Sequence, residues 1–70
     1  MLVITIDERK RMVERHFKTI HDLKKFLKHR GLFIRPKGKQ TLKGVDYKSF
    51  RVGSYLKDTT PRFETLLVLE

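Results

Sequence analysis

ERKRMVERHFKTIHDLKKFLKHRG, Glu8 to Gly31, reads either as one helix or as a strand followed by a helix. The choice decides the fold. Met12, His16 and Leu23, like Val13, Phe17 and Ile20, fall at helical spacing and would continue an apolar stripe back to Glu8. A helix from Glu8 to Arg30 would be roughly 35 Å long at 1.5 Å per residue. A chain of this size has an expected radius of gyration near 11 Å, so such a helix would overhang its own domain (~11 Å by the usual scaling). The other reading is a hairpin: Leu2–Ile6, a turn through Asp7–Arg11, and a strand from Met12 to Lys18. Its cost is Arg15, placed on the same strand face as Val13 and Phe17. Thr19, three residues ahead of Asp22, is a helix-start signal that an uninterrupted helix would not need. The hairpin is therefore preferred, with the long helix as the alternative.

From Thr19 onward the pattern is firm. Ile20, Leu23, Phe26 and Leu27 are apolar at helical spacing, and Lys28, His29 and Arg30 complement the dipole at the C-terminal end. Gly31 follows as a C′ glycine should. The rest of the chain is predicted as strands. Leu2–Ile6 and Glu64–Leu69 are short, apolar and β-branched or leucine-rich, and both belong in the middle of a sheet, because an edge would expose them. Leu32–Arg35 is a strand stopped by Pro36, and Tyr47–Val52 another. Between them, Lys37–Asp46 reads as a loop or hairpin connection with Gly38 and Gly44 as turn residues. Gly53 and Thr59-Thr60-Pro61 mark irregular ground. The expectation is a single α+β domain over residues 1–70, a mixed sheet packed on one central helix in a ββαββ-like order. With the long helix it becomes β-α-β-β-β.

Thr19-Ile20 opening the helix, Leu23-Lys24 and Leu27 within it and Gly31 closing it resemble the ubiquitin-like β-grasp pattern. Ser54-Tyr55 through Asp58-Thr59-Thr60 into Thr65–Leu69 is similar to that family's last turn and strand. The resemblance implies a compact platform that binds partners through its sheet face and loops. Family members that are conjugated or carry sulfur end in a Gly-Gly tail, and this chain has no glycine after Gly53. Conjugation and sulfur transfer are not expected.

Composition narrows the function. A chain of 70 residues buries only about 60% of the surface it exposes on unfolding, leaving no room for a deep cleft. Without cysteine there is no disulfide framework and no thiolate metal site. The apolar runs are far shorter than the roughly 20 residues of a membrane span, and no signal peptide precedes them, so a cytosolic protein is expected. His16, His21 and His29 lack metal-ligand spacing. Ser49 and Ser54 have no visible acid–base neighbours. GKQTLKG is not a P-loop: its two glycines are six apart, Val45 follows the second, and no helix is apparent. The expectation is a binding module, not an enzyme, with no cofactor and no metal.

Seventeen Lys and Arg against eight Asp and Glu give a formal charge of +9, which favours a polyanionic partner. A merely soluble small domain is well served by a net charge of about 2–8 with mixed signs. The candidate site collects Lys24, Lys25, Lys28 and Arg30 from the helix with Arg35, Lys37, Lys39 and Lys43 from RPKGKQTLKG. Lys48 and Arg51 follow in the next strand, with Tyr47 as a ring on which a base can stack. Phe33 and Phe50 read first as core, while Tyr47 and Tyr55 can pack and keep a wet hydroxyl. The leading expectation is a non-catalytic nucleic-acid-binding module that contacts the phosphate backbone of DNA or RNA. The alternative is a ubiquitin-like interaction module, or a small inhibitor of viral or plasmid type, docking its basic face on an acidic protein.

Overall fold

The computed structural model describes residues 1–56 and 60–69. Lys57, Asp58 and Thr59, part of the segment compared with the last ubiquitin turn, lie outside the described residues. The elements run β1 (Leu2–Ile6), β2 (Met12–His16), α1 (Ile20–His29), β3 (Leu32–Leu42), β4 (Val45–Ser54) and β5 (Thr65–Leu69). The hairpin reading of Glu8–Lys18 holds. Asp7 makes its turn: one carboxylate oxygen, Oδ1, accepts the main-chain N–H groups of Arg9 and Arg11, both at 2.9 Å, while Lys10 takes a left-handed φ of 66°. Thr19 caps α1 with its hydroxyl oxygen, which accepts the Asp22 N–H at 3.2 Å. At the other end the Arg30 and Gly31 N–H groups donate to the Leu27 and Lys28 carbonyls, and Gly31 has φ 65°. Met12–His16 is paired as a strand and α1 begins only at Ile20, so the longer helix does not form.

The five strands form one sheet in the order β2-β1-β5-β4-β3, and every neighbouring pair is antiparallel. The sheet is thus not mixed. A parallel pair needs a long crossover between neighbours, and the only helix among the described residues joins β2 to β3, the two edges of the sheet. As expected, β1 and β5 lie inside it. Among the described residues, no helix is long and apolar enough to cross a membrane.

Side chains alternate between two faces. On the helix side, Val3, Leu66, Val68 and Val52 pack with Leu23 and Leu27 of α1, and Phe63 closes the cluster. Arg15 falls on this face with Val13 and Phe17, because its strand partner is Val3. Its charge is accommodated by Phe26, whose ring centre lies 5.0 Å from the Arg15 guanidinium carbon. Among the described residues no helix lies on the far side, yet Ile4, Ile6, Leu67 and Tyr47 form a second buried cluster there.

The β3–β4 hairpin covers that second cluster. RPKGKQTLKG is not a loop but the arm of a long strand. Pro36 does not stop β3, which is an edge strand where a missing N–H is tolerated, and a bulge between Pro36 and Gly38 absorbs the irregularity. The turn is only Lys43-Gly44, both with positive φ (50° and 79°), as a two-residue hairpin turn requires. Pairing of β4 with β5 runs from Arg51 only to Lys48. Beyond Lys48 the arm leaves the sheet and lays Tyr47 and Leu42 against Ile4, Ile6 and Leu67.

Candidate nucleic-acid interface

The register of β3 and β4 sorts the expected cations. Leu32, Ile34 and Val52 point to the helix side, so Phe33, Arg35, Arg51 and Gly53 point to the far side. There Arg35 and Arg51 are direct cross-strand partners. Past the bulge the parity shifts, and Lys39 and Lys48 face each other on the helix side. Like charges placed directly opposite destabilise a sheet. This hairpin carries two such pairs, one on each face.

Beside Arg35 and Arg51 lies a row of rings. Phe33 faces Gly53 across the hairpin, and its ring lies so close over that residue that an added Cβ would meet its Cζ at 2.4 Å. Only glycine leaves that space. The Phe33 ring centre is 4.9 Å from that of Tyr55, and the Arg35 guanidinium carbon is 5.4 Å from the Phe33 ring on the same row. Tyr55 is 72% exposed. Exposed ring, half-buried ring and guanidinium thus follow one another across a face that no helix covers.

The other candidates scatter. Lys24, Lys25 and Lys28 stand exposed on α1 with His21 and His29, and Lys24 and Lys28 reach the open edge of β3 where they line one groove with Phe33 and Tyr55. Arg30 lies over Phe26, its guanidinium carbon 3.9 Å from the ring centre. Lys37 occupies the bulge and Lys43 the hairpin turn, both exposed. The helix and the hairpin therefore meet only at the β3 edge, through Lys24 and Lys28, while Lys25, Arg30, Lys37 and Lys43 lie apart from that groove. Tyr47 requires a correction: it is only 8% exposed, since the curled arm buries its ring with Ile4 and Leu67, and no base can stack on it. The exposed tyrosine is Tyr55, with its ring against Phe33. The signal for that pair was present in the alternation of Phe33-Ile34-Arg35, but its partner Gly53 is brought opposite only by the register.

No known protein family, curated protein or solved structure matches the chain. The β-grasp resemblance stands on arrangement alone. One helix on a five-strand antiparallel sheet is compatible with a β-grasp-like fold, here with first and last strands antiparallel.

Proposed function

We propose that the protein is a non-catalytic nucleic-acid-binding module that holds a single strand against the far face of the β3–β4 hairpin. The observation that supports this reading most directly is the row of Tyr55, Phe33 and Arg35, with Arg51 facing Arg35. A base has a π-face to lay on an exposed tyrosine, worth about 1–3 kcal/mol per base stacked. A phosphate between Arg35 and Arg51 would turn a repulsive cross-strand pair into two charge-assisted contacts. Lys37 in the bulge and Lys43 in the turn carry positive charge along the arm, Lys39 adds to it from the other face, and the net charge of +9 favours approach of any polyanion. Sequence readout is not expected, since stacking on rings and contacts to the phosphate backbone carry no base identity.

Anisotropy of labelled single-stranded and duplex oligonucleotides, followed against salt, tests the proposal. Log K should fall with log salt by about 0.7 per single-strand phosphate or about 0.9 per duplex phosphate. The triple variant Lys37→Gln, Lys39→Gln, Lys43→Gln should flatten the slope. Tyr55→Ala should weaken single-strand binding with little effect on the slope. Failure to bind any DNA or RNA at low salt would sink the proposal.

A second reading, the ubiquitin-like interaction module, has an observation of its own. The Tyr55 N–H donates to the Gly31 carbonyl, so by antiparallel alternation Phe33 and Arg35 bond to β4 while Leu32 and Ile34 turn their N–H and C=O outward. Lys24 and Lys28 overhang that open edge. An acidic extended segment could add there as a further strand.

A further inference from the structure

A cleft of roughly 550 Å³ lies on the helix side, between the end of α1, the β1–β2 hairpin and the residues just before β5. Its floor is apolar, built from Val13, Leu32 and buried Phe63. Around the floor stand four guanidinium groups brought from four places in the chain: Arg11 in the hairpin turn, Arg15 in β2, Arg30 at the α1 C-cap and Arg62 before β5. Two of them share one support, since Arg15 and Arg30 both lie over the Phe26 ring, 5.0 and 3.9 Å from its centre.

The cleft does not neutralise these charges itself. Its carboxylate is Asp7, whose Oδ1 is occupied by the main-chain N–H groups of Arg9 and Arg11. Among the described residues, no ion pair reaches any of the four arginines. The Nε of Arg15 is buried and donates to no acceptor. A buried donor on a charged group is expensive to leave unmade. Only Nε of this guanidinium is shut away in this manner, so its terminal N–H groups remain the ones Arg15 offers to an acceptor entering the cleft.

The geometry points to a phosphate monoester dianion as that acceptor. Guanidinium forks pair with phosphate oxygens two at a time, and a monoester offers three terminal oxygens and a charge of about −1.5 to −2 near neutral pH. A carboxylate offers two oxygens and one charge, too little to balance four guanidinium charges around one cleft. An internal phosphodiester also brings one charge, and it arrives with chain on both sides, which a floored cleft admits poorly. The monoester can be the phosphorylated end of a nucleic-acid strand, a source that rests on the function proposed above, or a free phosphate or mononucleotide.

Heteronuclear NMR of the full chain, observing the Arg15 Nε–H resonance, distinguishes these cases. Titration with inorganic phosphate should move that resonance saturably, and Arg62→Gln should weaken the binding about tenfold, the loss of one charge-assisted contact. Arg62 is exposed, so this variant leaves the fold intact. Arg15→Lys, which keeps the charge and removes the fork, should weaken it likewise. Single-stranded oligonucleotides differing only in a 5′-phosphate or 5′-hydroxyl are compared in parallel with a nucleoside monophosphate. A tighter 5′-phosphorylated strand identifies the strand end; equal strands with a tight mononucleotide identify a free ligand. If phosphate gives no saturable shift, or binds Arg62→Gln as well as the parent, the cleft is not a phosphate site, whatever the oligonucleotides do. If phosphate binds and no oligonucleotide does, the cleft stands and the nucleic-acid proposal falls.

Discussion

Gly53→Ala is the sharpest single probe of the far face. The new Cβ would stand 2.4, 2.7 and 2.9 Å from Cζ, Cε2 and Cε1 of Phe33. Carbon atoms at rest sit about 3.5–4.0 Å apart, so the ring must lift by roughly 1 Å or swing off the strand. Overpacking of this kind costs about 1–3 kcal/mol. Against it stands the relief of removing a glycine from a strand, about 0.5–1 kcal/mol, available because Gly53 does not hold a left-handed φ. The net expectation is a loss of about 1 kcal/mol, or about 4–8 °C in Tm for a domain of this size. Urea titration followed by far-UV circular dichroism measures it. Tyrosine emission gives a second probe, since the chain has two tyrosines and no tryptophan, and Tyr55 adjoins the displaced ring. The decisive comparison uses Phe33→Ala as background. There the clash has no partner, and Gly53→Ala should become neutral or stabilising. Equal effects of Gly53→Ala in both backgrounds would refute the reasoning, because the cost would then not arise from the ring.

Two further substitutions test the frame around the site. Thr19→Ala removes the hydroxyl that receives the Asp22 N–H and should cost about 1 kcal/mol in chemical denaturation; Thr19→Ser should recover most of it. Leu67→Ala should cost about 2–5 kcal/mol although no helix covers its side of the sheet, because Leu67 is fully buried with Tyr47 and Ile4; a loss below 1 kcal/mol would mean that the hairpin arm does not seal that face in solution.

Local signals carried most of the fold. The Thr19 cap, the spacing of Leu23 and Leu27 and the closing Gly31 define α1 within a turn, and each is a near-neighbour interaction. What decided Glu8–Lys18 was the start signal at Thr19, while the misfit at Arg15 was resolved by Phe26, a contact no local pattern displays. Pro36 and Gly38 misled, since the same residues that end a strand in isolation are tolerated on an edge strand with a bulge. The site was less legible than the fold. Its cations are plain in the composition, but their sorting onto two faces depends on register and on one bulged residue. Tyr47 was misjudged because burial there comes from the arm curling back. Arg11, Arg15 and Arg62 form no group along the sequence; only the folded chain assembles them.

The position of β5 has a consequence for the order of events during synthesis. The two hairpins, β1–β2 and β3–β4, share no strand pairing with each other; β5 alone lies between β1 and β4 and bonds to both. Each hairpin can form early, yet a lone hairpin is marginal in water. The sheet therefore closes only when residues 65–69 have left the ribosome tunnel, and until then the strands that will flank β5 keep open apolar edges. Assembly of this sheet is set to be a nearly all-or-none event, with its exposure to aggregation concentrated in the interval before β5 arrives.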